Sequence, residues 1–542
     1  MEKKTKNKMK KDIKYQIIFA GPAGSGPNFI ANLFSELLNG KGYYVFNMRN
    51  YSSLIRGGNN FNVLTFSNKR ISSNESKSDI LVALDEKSIK IHKNNLKKDS
   101  FILSSKNKQK NIYFLGQLVK YFGLEFFDLQ KQLKVLGKKY EDNLSKAKQG
   151  YESIKTSKFD LRCNEDNNLN KNNNNNLDNK NNNLNNNNNK NNLYSEDGSQ
   201  GVSQGALKSG LDLYYAYPMT PATPVLVELA QATLNKNAKH KTVELENEIA
   251  VANAGVGSCI SGKKTMVGTS GGGFDLMSET LSLCGMAGIP LIFYLAMRKG
   301  PSTGVATYTT QEDLKMALGT GHGEFPRIVV SPGNPLEAEE VTNQMFYLCQ
   351  KFSTPGIILS DKHLAESYYT LDKKSELIKV PQVMKLKRYN SYEQNPKTGS
   401  ATENPGIIKN NTEERFLKIN KISSEIKNKK FAQYKIYGNK NSKNVIISWG
   451  SNQGAILDSI KNLKDICFIS LIYLEPFPSE IKKYLEKARN ILVIENSRTC
   501  YIADLIKQKI GFEIPEKNKI LRYDSRAFLS DELNKEIKKR LN

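Results

Sequence analysis

Between Asn164 and Asn192 the chain is almost entirely asparagine, with a few Lys, Asp and Leu. Such a run cannot bury enough apolar surface to offset the entropy of ordering it. A linker therefore divides the 542 residues, and a folding segment is expected on each side of it. At about 30 residues, a flexible chain spans roughly 30 Å root-mean-square, so the flanking domains can dock independently of the connection.

The first segment opens on the apolar run Gln16–Ala20, then Gly21-Pro-Ala-Gly-Ser-Gly26, then the amphipathic stretch Phe29–Leu38. That pattern reads as strand, glycine-rich turn and helix. Further strands at Tyr43–Met48 and Ile80–Leu84 make a parallel α/β domain the expectation to about residue 150. A dinucleotide site is disfavoured. The glycines follow G-x-x-G-x-G instead of G-x-G-x-x-G, and the second strand runs into Arg49-Asn50 with no acidic residue for a ribose. Pro27-Asn28 stand where a P-loop needs Lys-Ser/Thr, which argues against NTP hydrolysis.

After Gly198 the pattern is again α/β. Leu211–Tyr217 reads as a strand ending at Pro218, and Thr223-Pro224 as the start of a helix. Glu244–Ser258 is a predicted helix of small residues, Thr265–Thr269 a strand, Ser270–Gly273 a turn, Phe274–Met286 a helix and Leu291–Met297 a strand. Tyr389–Lys421 reads as a polar, irregular extension, and Val445–Ser448, Cys467–Tyr473 and Ile491–Glu495 as strands of a last α/β domain.

Composition narrows the function classes. A net charge of +26 is spread along the chain, with only the Lys-rich N-terminal tip dense in it, so nucleic acid is not an expected partner. The excess favours acidic partners by steering, and a small acidic electron carrier is one. The longest apolar stretch, Leu281–Met297, is interrupted by Gly285, Gly288 and Pro290, so no membrane span is expected. Met1–Lys14 has neither the apolar core of a signal peptide nor the Arg/Ser character of a transit peptide, and the expected location is cytoplasmic. Six scattered cysteines contain no C-x-x-C pair, so they read as reduced and buried, and any iron–sulfur cluster belongs to another chain.

In open parallel sheets ligands bind outside the carboxyl ends of the strands. Three loops belong there: Tyr217–Pro221, Thr269–Gly273 and Arg298–Gly304. Each also has a structural reading, with Thr220 and Thr223 as caps, the glycines as a tight turn and Arg298 as a surface ion pair.

The ordered motifs carry a resemblance. Tyr217-Pro-Met-Thr-Pro221, Leu245-Glu-Asn-Glu-Ile-Ala250, Thr269-Ser-Gly-Gly-Gly-Phe-Asp-Leu-Met277, Arg298-Lys-Gly-Pro-Ser-Thr-Gly304, Gly321-His-Gly-Glu-Phe-Pro326, Arg388–Glu393, Thr402-Glu-Asn-Pro405 and Leu474-Glu-Pro-Phe-Pro478 follow one another. The series resembles the alpha subunit of 2-oxoacid:ferredoxin oxidoreductases. Tyr51-Ser-Ser-Leu-Ile-Arg-Gly-Gly58 looks like the Arg-Gly-Gly loop of the family's gamma domain, fused here at the N-terminus. The resemblance implies three parallel-sheet α/β domains. These are a gamma domain at 1–150, a thiamine-diphosphate pyrimidine-binding domain at 198–385 and a transketolase C-terminal-like domain at 431–542, joined by a linker at 151–197 and an extension at 386–430.

It also implies thiamine diphosphate shared with a beta subunit. The Gly-Asp-Gly magnesium motif is missing here, so Mg2+, the diphosphate contacts and the [4Fe-4S] cluster are expected on that partner, in a heterodimer or a dimer of heterodimers. The implied reaction is oxidative decarboxylation of a 2-oxoacid with coenzyme A and ferredoxin. The best expectation for the substrate is 2-oxoglutarate, with pyruvate or a branched-chain 2-oxoacid as alternatives. Glu248 matches the family's cofactor-activating Glu, with Glu246 and Glu244 as nearby alternatives. Arg298 matches the ligand of the substrate carboxylate, and Thr220 the hydroxyl beside its carbonyl. Tyr217, Pro218, Ser270 and Gly271 fall at cofactor-binding positions, and Ser302 and Thr303 at substrate-binding ones.

Pro22 and Ser25 depart from the family's gamma loop, Gly272 stands where Pro is usual, and Glu495–Cys500 lacks the usual Gly-Gln pair. Two other classes remain. A non-catalytic structural subunit is opposed by the intact Thr220, Glu248 and Arg298. A non-oxidative thiamine enzyme is opposed by the missing magnesium motif. If residues 164–192 are only a spacer, a Gly/Ser segment of equal length should leave activity of the assembled enzyme within about twofold, and loss of assembly would contradict that.

Overall fold

The computed structural model describes residues 12–52, 58–104, 111–137, 139–161, 193–381 and 390–541. The Asn-rich run, Cys163, residues 53–57 of the Arg-Gly-Gly loop and Arg388-Tyr389 lie outside them. The chain forms two compact units, one running to Ser195 together with Tyr368–Lys373, the other holding Glu196–Ser367 and Lys374–Asn542.

The first unit is built on β1 (Lys14–Pro22), β2 (Tyr44–Asn50), β3 (Asn59–Ser67), β4 (Ser78–Ala83), β5 (Leu96–Ser104), β6 (Tyr194–Glu196) and β13 (Ser367–Leu371), in the order β5-β4-β1-β3-β2-β13-β6. Ile17 and Phe19 are buried in one core cluster and Ile18 and Ala20 in another, so β1 is covered on both faces. Its parallel partner is β4, whereas β3 runs antiparallel to both β1 and β2. The expected parallel sheet is therefore mixed. The connection from β2 to β3 is too short to carry a crossover, so the chain must turn back. β3 escaped the sequence reading because its inward positions include polar residues. Asn62 donates to Asn28 Oδ1 at 2.9 Å and Asn47 Oδ1 at 3.0 Å, and Thr65 donates to Gln16 Oε1 at 2.9 Å.

β13 is a second correction, because its residues fall inside the expected 198–385 domain yet complete the first sheet. Thr370 Oγ1 donates to Asn39 Oδ1 at 2.7 Å and accepts from Val45 N at 2.7 Å, both buried. Hydrogen-bond complementarity with a distant strand put it there, and local sequence does not show that.

The second unit contains a sheet of β7 (Leu213–Ala216), β8 (Lys241–Glu244), β9 (Thr265–Thr269), β10 (Ile292–Met297), β11 (Ile328–Val330), β12 (Gly356–Asp361) and β17 (Tyr473–Glu475), in the order β17-β11-β12-β10-β9-β7-β8. Every pairing is parallel except β11 with β17. Ile292, Tyr294 and Ala296 enter one core while Phe293, Leu295 and Met297 enter the other, as a strand buried on both faces requires. A further sheet joins β14 (Tyr434–Gly438), β15 (Asn444–Trp449), β16 (Cys467–Leu471), β18 (Asn490–Glu495) and β19 (Lys519–Leu521) in the order β14-β16-β15-β18-β19. Val445, Ile447 and Trp449 share a single core with Phe293 and Leu295, so the two sheets are one folded body.

The extension read as irregular contains a helix, Pro405–Asn428. Asn404 caps it by accepting from Ile407 N at 3.1 Å, and Pro405 opens it. Ile422 and Ile426 are its only buried residues, so the helix lacks the broad apolar stripe that pattern reading needs. The helix expected from Glu244 begins at Glu248 instead, after β8. Among the described residues no helix is long and apolar enough to cross a membrane.

Gln311 ties the last sheet to the middle one. Its backbone N donates to Asn496 O at 2.8 Å and its Nε2 to Trp449 O at 2.8 Å, while Oε1 accepts from Asn452 Nδ2 at 2.5 Å and Asn496 N at 2.8 Å. Gln311→Ala should leave buried polar groups without partners and cost about 2 kcal/mol or more. Thermal melting should read that as a fall of several degrees, and an unchanged midpoint would contradict it.

Candidate active site

Strand register aligns the loops. Ala216 pairs with both Glu244 and Gly268, Thr269 with Leu295, and Met297 with Asp361, so β7 and β8 end together, β9 one residue further on, and β10 and β12 together two residues beyond that, all at one edge. From β7 the chain goes outward to β8 and then returns to β9 on the other side of β7. The loops after β7 and β9 therefore diverge at a topological switch point, the place where open sheets form a crevice. The loop after β10 stands beside them.

The three loops meet there. Arg298 Nη1 donates to the Thr220 carbonyl at 2.8 Å, and Thr269 Oγ1 lies 3.9 Å from Met219 Sδ. Glu248 is the first residue of the helix Glu248–Ile260, which Asn247 caps by accepting from Ala250 N at 2.9 Å. A carboxylate is electrostatically favoured at that end of a helix. Of the three candidate carboxylates, Glu248 is 3% exposed, whereas Glu244 and Glu246 face solvent. Burial thus separates the alternatives. The glycines expected to form a turn instead open the helix Gly271–Leu276, and the Glu248 carboxylate packs on them, since a Cβ on Gly273 would overlap Thr269 Oγ1 and stand 2.5 Å from Glu248 Oε1.

Four buried polar atoms gathered here have no hydrogen-bond partner among the described residues: Glu248 Oε1, Ser270 Oγ, Arg298 Nε and Asp313 Oδ2. Leaving such atoms unpaired costs about 1–3 kcal/mol each, a penalty that a polar ligand can relieve. Burial draws the Arg298 guanidinium below its usual range, and the charges of Glu248 and Asp313 oppose that. Tyr217 and Pro218 are exposed at the rim. Ser302 and Thr303 are also exposed, on a loop where Ser302 has φ 55° and Gly304 φ 49°. The geometry thus joins Thr220, Glu248, Ser270, Gly271 and Arg298, and leaves Tyr217, Pro218, Ser302 and Thr303 at the edge.

Asp313 was missed. None of the sequence motifs includes it, and only the fold, which places it before the helix Leu314–Gly319, turns its carboxyl onto Gly271. The five described cysteines are free and buried.

Two family models match. Residues 204–431 fit the thiamine-diphosphate-binding part of pyruvate flavodoxin/ferredoxin oxidoreductases, and residues 16–110 fit a second pyruvate ferredoxin/flavodoxin oxidoreductase model. A 2-oxoacid:ferredoxin oxidoreductase alpha subunit from Sulfolobus sp is 28% identical over 611 aligned positions, covering 96% of each chain. The chain belongs to the family of 2-oxoacid:ferredoxin oxidoreductase alpha subunits. A 2-oxoglutarate synthase subunit KorA from Methanocaldococcus jannaschii is 26% identical over 60% of this chain and 97% of that one. A solved 2-oxoglutarate:ferredoxin oxidoreductase from Magnetococcus marinus shares the fold with a TM-score of 0.81 at 21% identity, covering 98% of this chain and 100% of that one.

The first matched model, over residues 204–431, is described as thiamine-diphosphate-binding and spans all of these site residues. The unpartnered Glu248 Oε1 and Ser270 Oγ beside the glycines fit a polar aromatic cofactor. Gly272, where the family usually has Pro, has nothing within 4 Å of its would-be Cβ, so that departure leaves the site's packing untouched. Gly272→Ala should therefore leave cofactor affinity within about twofold, whereas Gly273→Ala, which forces Glu248 or Thr269 to move, should weaken it by tenfold or more, about 1.4 kcal/mol. Calorimetric titration of the assembled enzyme with thiamine diphosphate checks the contrast.

Proposed function

We propose that this chain supplies the pyrimidine-binding half of a composite active site that oxidatively decarboxylates 2-oxoglutarate, passing the acyl group to coenzyme A and the electrons to ferredoxin. The observation that carries the reading is Glu248, a buried carboxylate at a helix N-terminus with one oxygen unpartnered, facing the loops that hold Arg298 and Thr220. The choice of 2-oxoglutarate rests on the KorA relatives, which are 2-oxoglutarate synthase subunits, and on the Magnetococcus enzyme, solved with 2-oxoglutarate, coenzyme A and succinyl-CoA bound. A beta subunit, in a heterodimer or a dimer of heterodimers, would bring Mg2+, the diphosphate contacts and the [4Fe-4S] cluster. Free buried cysteines agree with a reducing cytoplasm.

When bound, thiamine diphosphate supplies a carbon nucleophile and an electron sink for the loss of CO2. Glu248 Oε1 would hold a proton at the edge of the aminopyrimidine ring, the contact through which a carboxylate would activate the cofactor. Ser270 and Gly271 seat the ring, and Tyr217 and Pro218 border it. Arg298 grips the 2-oxoacid carboxylate through charge-assisted hydrogen bonds while its Nη1 stays on the Thr220 carbonyl. The Thr220 hydroxyl stands beside the substrate carbonyl, and Ser302 and Thr303 line the entrance.

Co-expression with the beta chain and dye reduction across several 2-oxoacids with coenzyme A tests the function. The isolated chain should be colourless and inactive. In the complex, Glu248→Gln should slow turnover by roughly a hundredfold or more and slow exchange of the cofactor's thiazolium proton. Arg298→Ala should lower kcat/KM by about 30- to 150-fold, roughly 2–3 kcal/mol, with cofactor affinity unchanged. Exchange as fast as in the parent would move the proton role away from Glu248, and an unchanged kcat/KM for every 2-oxoacid would remove Arg298 from the site.

A further inference from the structure

Two adjacent cations, Arg298 and Lys299, face two adjacent carboxylates, Glu312 and Asp313. Lys299 and Glu312 form an ion pair. The other two are not closed in that way. Asp313 immediately precedes the helix Leu314–Gly319, where an aspartate ordinarily caps, yet its side chain makes no capping bond. It is turned instead onto the glycines that open the helix Gly271–Leu276, with Oδ2 2.7 Å from the position of a Cβ on Gly271, and that oxygen is buried without a partner among the described residues. Arg298 Nε is likewise buried and unpartnered, and the charges of the two residues act on each other. The placement is rigid. Two residues earlier Gln311 is locked to Trp449, Asn452 and Asn496, and Thr310 Oγ1 donates to Asn496 O at 3.2 Å.

We propose that Asp313 is a positioning residue of the 2-oxoacid site, which sets how much of the Arg298 charge is available to an incoming carboxylate. This rests on the reading of Arg298 as the carboxylate ligand. Burial first, then the nearby carboxylates of Glu312 and Asp275, push the Asp313 carboxyl up to about 7, and Arg298 only partly pulls it back. The groups facing it are thus Glu312 on its own segment, Asp275 on the helix Gly271–Leu276, and Arg298 at the end of β10. Glu248 acts on Arg298 from the helix Glu248–Ile260, and Lys299 is engaged by Glu312. Below about 7 the carboxyl is neutral, and the guanidinium meets the substrate with its charge undiminished. Above it, a second negative charge stands by the same cation and affinity falls. By the same linkage, an anion arriving at Arg298 favours the protonated carboxyl, so binding near neutrality takes up a proton from the buffer.

The test uses the assembled enzyme from pH 6 to 8.5. The KM for 2-oxoglutarate should rise by roughly three- to tenfold across that range, the scale of one added charge in a partly buried site, with kcat changing less. Asp313→Asn should flatten the rise and keep the low-pH affinity throughout. Calorimetry with oxalate as a non-reacting anion, in two buffers of different ionisation enthalpy at pH 7.5, should show uptake of part of a proton by the parent enzyme and none by Asp313→Asn. A variant that retains the parent's slope, or a parent that takes up no proton, overturns the proposal, and the parent measurement decides even if the variant does not assemble. Arg298→Ala separates the two readings. If it leaves KM and oxalate affinity unchanged, the assignment of Arg298 fails. If it weakens both while Asp313→Asn keeps the parent's slope, only the role of Asp313 fails.

Discussion

The in-register parallel pairing of β7, β9 and β10 is the constraint on which the site depends. Parallel strands buried on both faces must all return through crossovers, and their carboxyl ends then lie along one edge. Because Ala216 pairs with Gly268 and Thr269 with Leu295, the loops after these strands leave the same edge with a stagger of only one and two residues, and residues far apart in the chain arrive together. A register slip of one residue would turn Tyr294 and Leu295 each toward the other's core and move Arg298 away from the Thr220 carbonyl.

The edge so formed carries polar atoms that the fold itself does not satisfy. Glu248 Oε1, Ser270 Oγ, Arg298 Nε and Asp313 Oδ2 are buried without partners among the described residues, in contrast to Gln311, whose side-chain amide is bonded through both its nitrogen and its oxygen. The contrast separates two roles for buried polarity. At Gln311 it fixes two sheets against each other. At the strand ends it stays unpaired, and the core shared by the two sheets holds those groups in place at the expense of stability.

The loops that form the candidate site were legible in the sequence. The Tyr217–Pro221, Thr269–Gly273 and Arg298–Gly304 loops follow apolar strands, and their common edge follows from the rule for open sheets. Sequence left Glu244, Glu246 and Glu248 as neighbours in one predicted helix. The structure separates them by ending a strand at Glu244 and starting the helix at Glu248, which buries only the last. β3 and the Pro405–Asn428 helix were not legible for related reasons. The first buries Asn62 and Thr65 in a hydrogen-bonded network, and the second buries only Ile422 and Ile426, so neither shows the apolar period that marks an element.

What the sequence determined by itself was the set of local elements and the chemistry placed at their ends. Strand hydrophobicity, the glycine run and the order of the motifs are local properties, written in contiguous residues. The tertiary structure alone decided which carboxylate is buried, that Asp313 faces Gly271 instead of capping its own helix, and that Tyr368–Leu371 joins the sheet of the first unit. Each of these turns on contacts between residues distant in the chain. Burial, register and hydrogen-bond complementarity exist only once the strands have paired, and no window of sequence contains both partners.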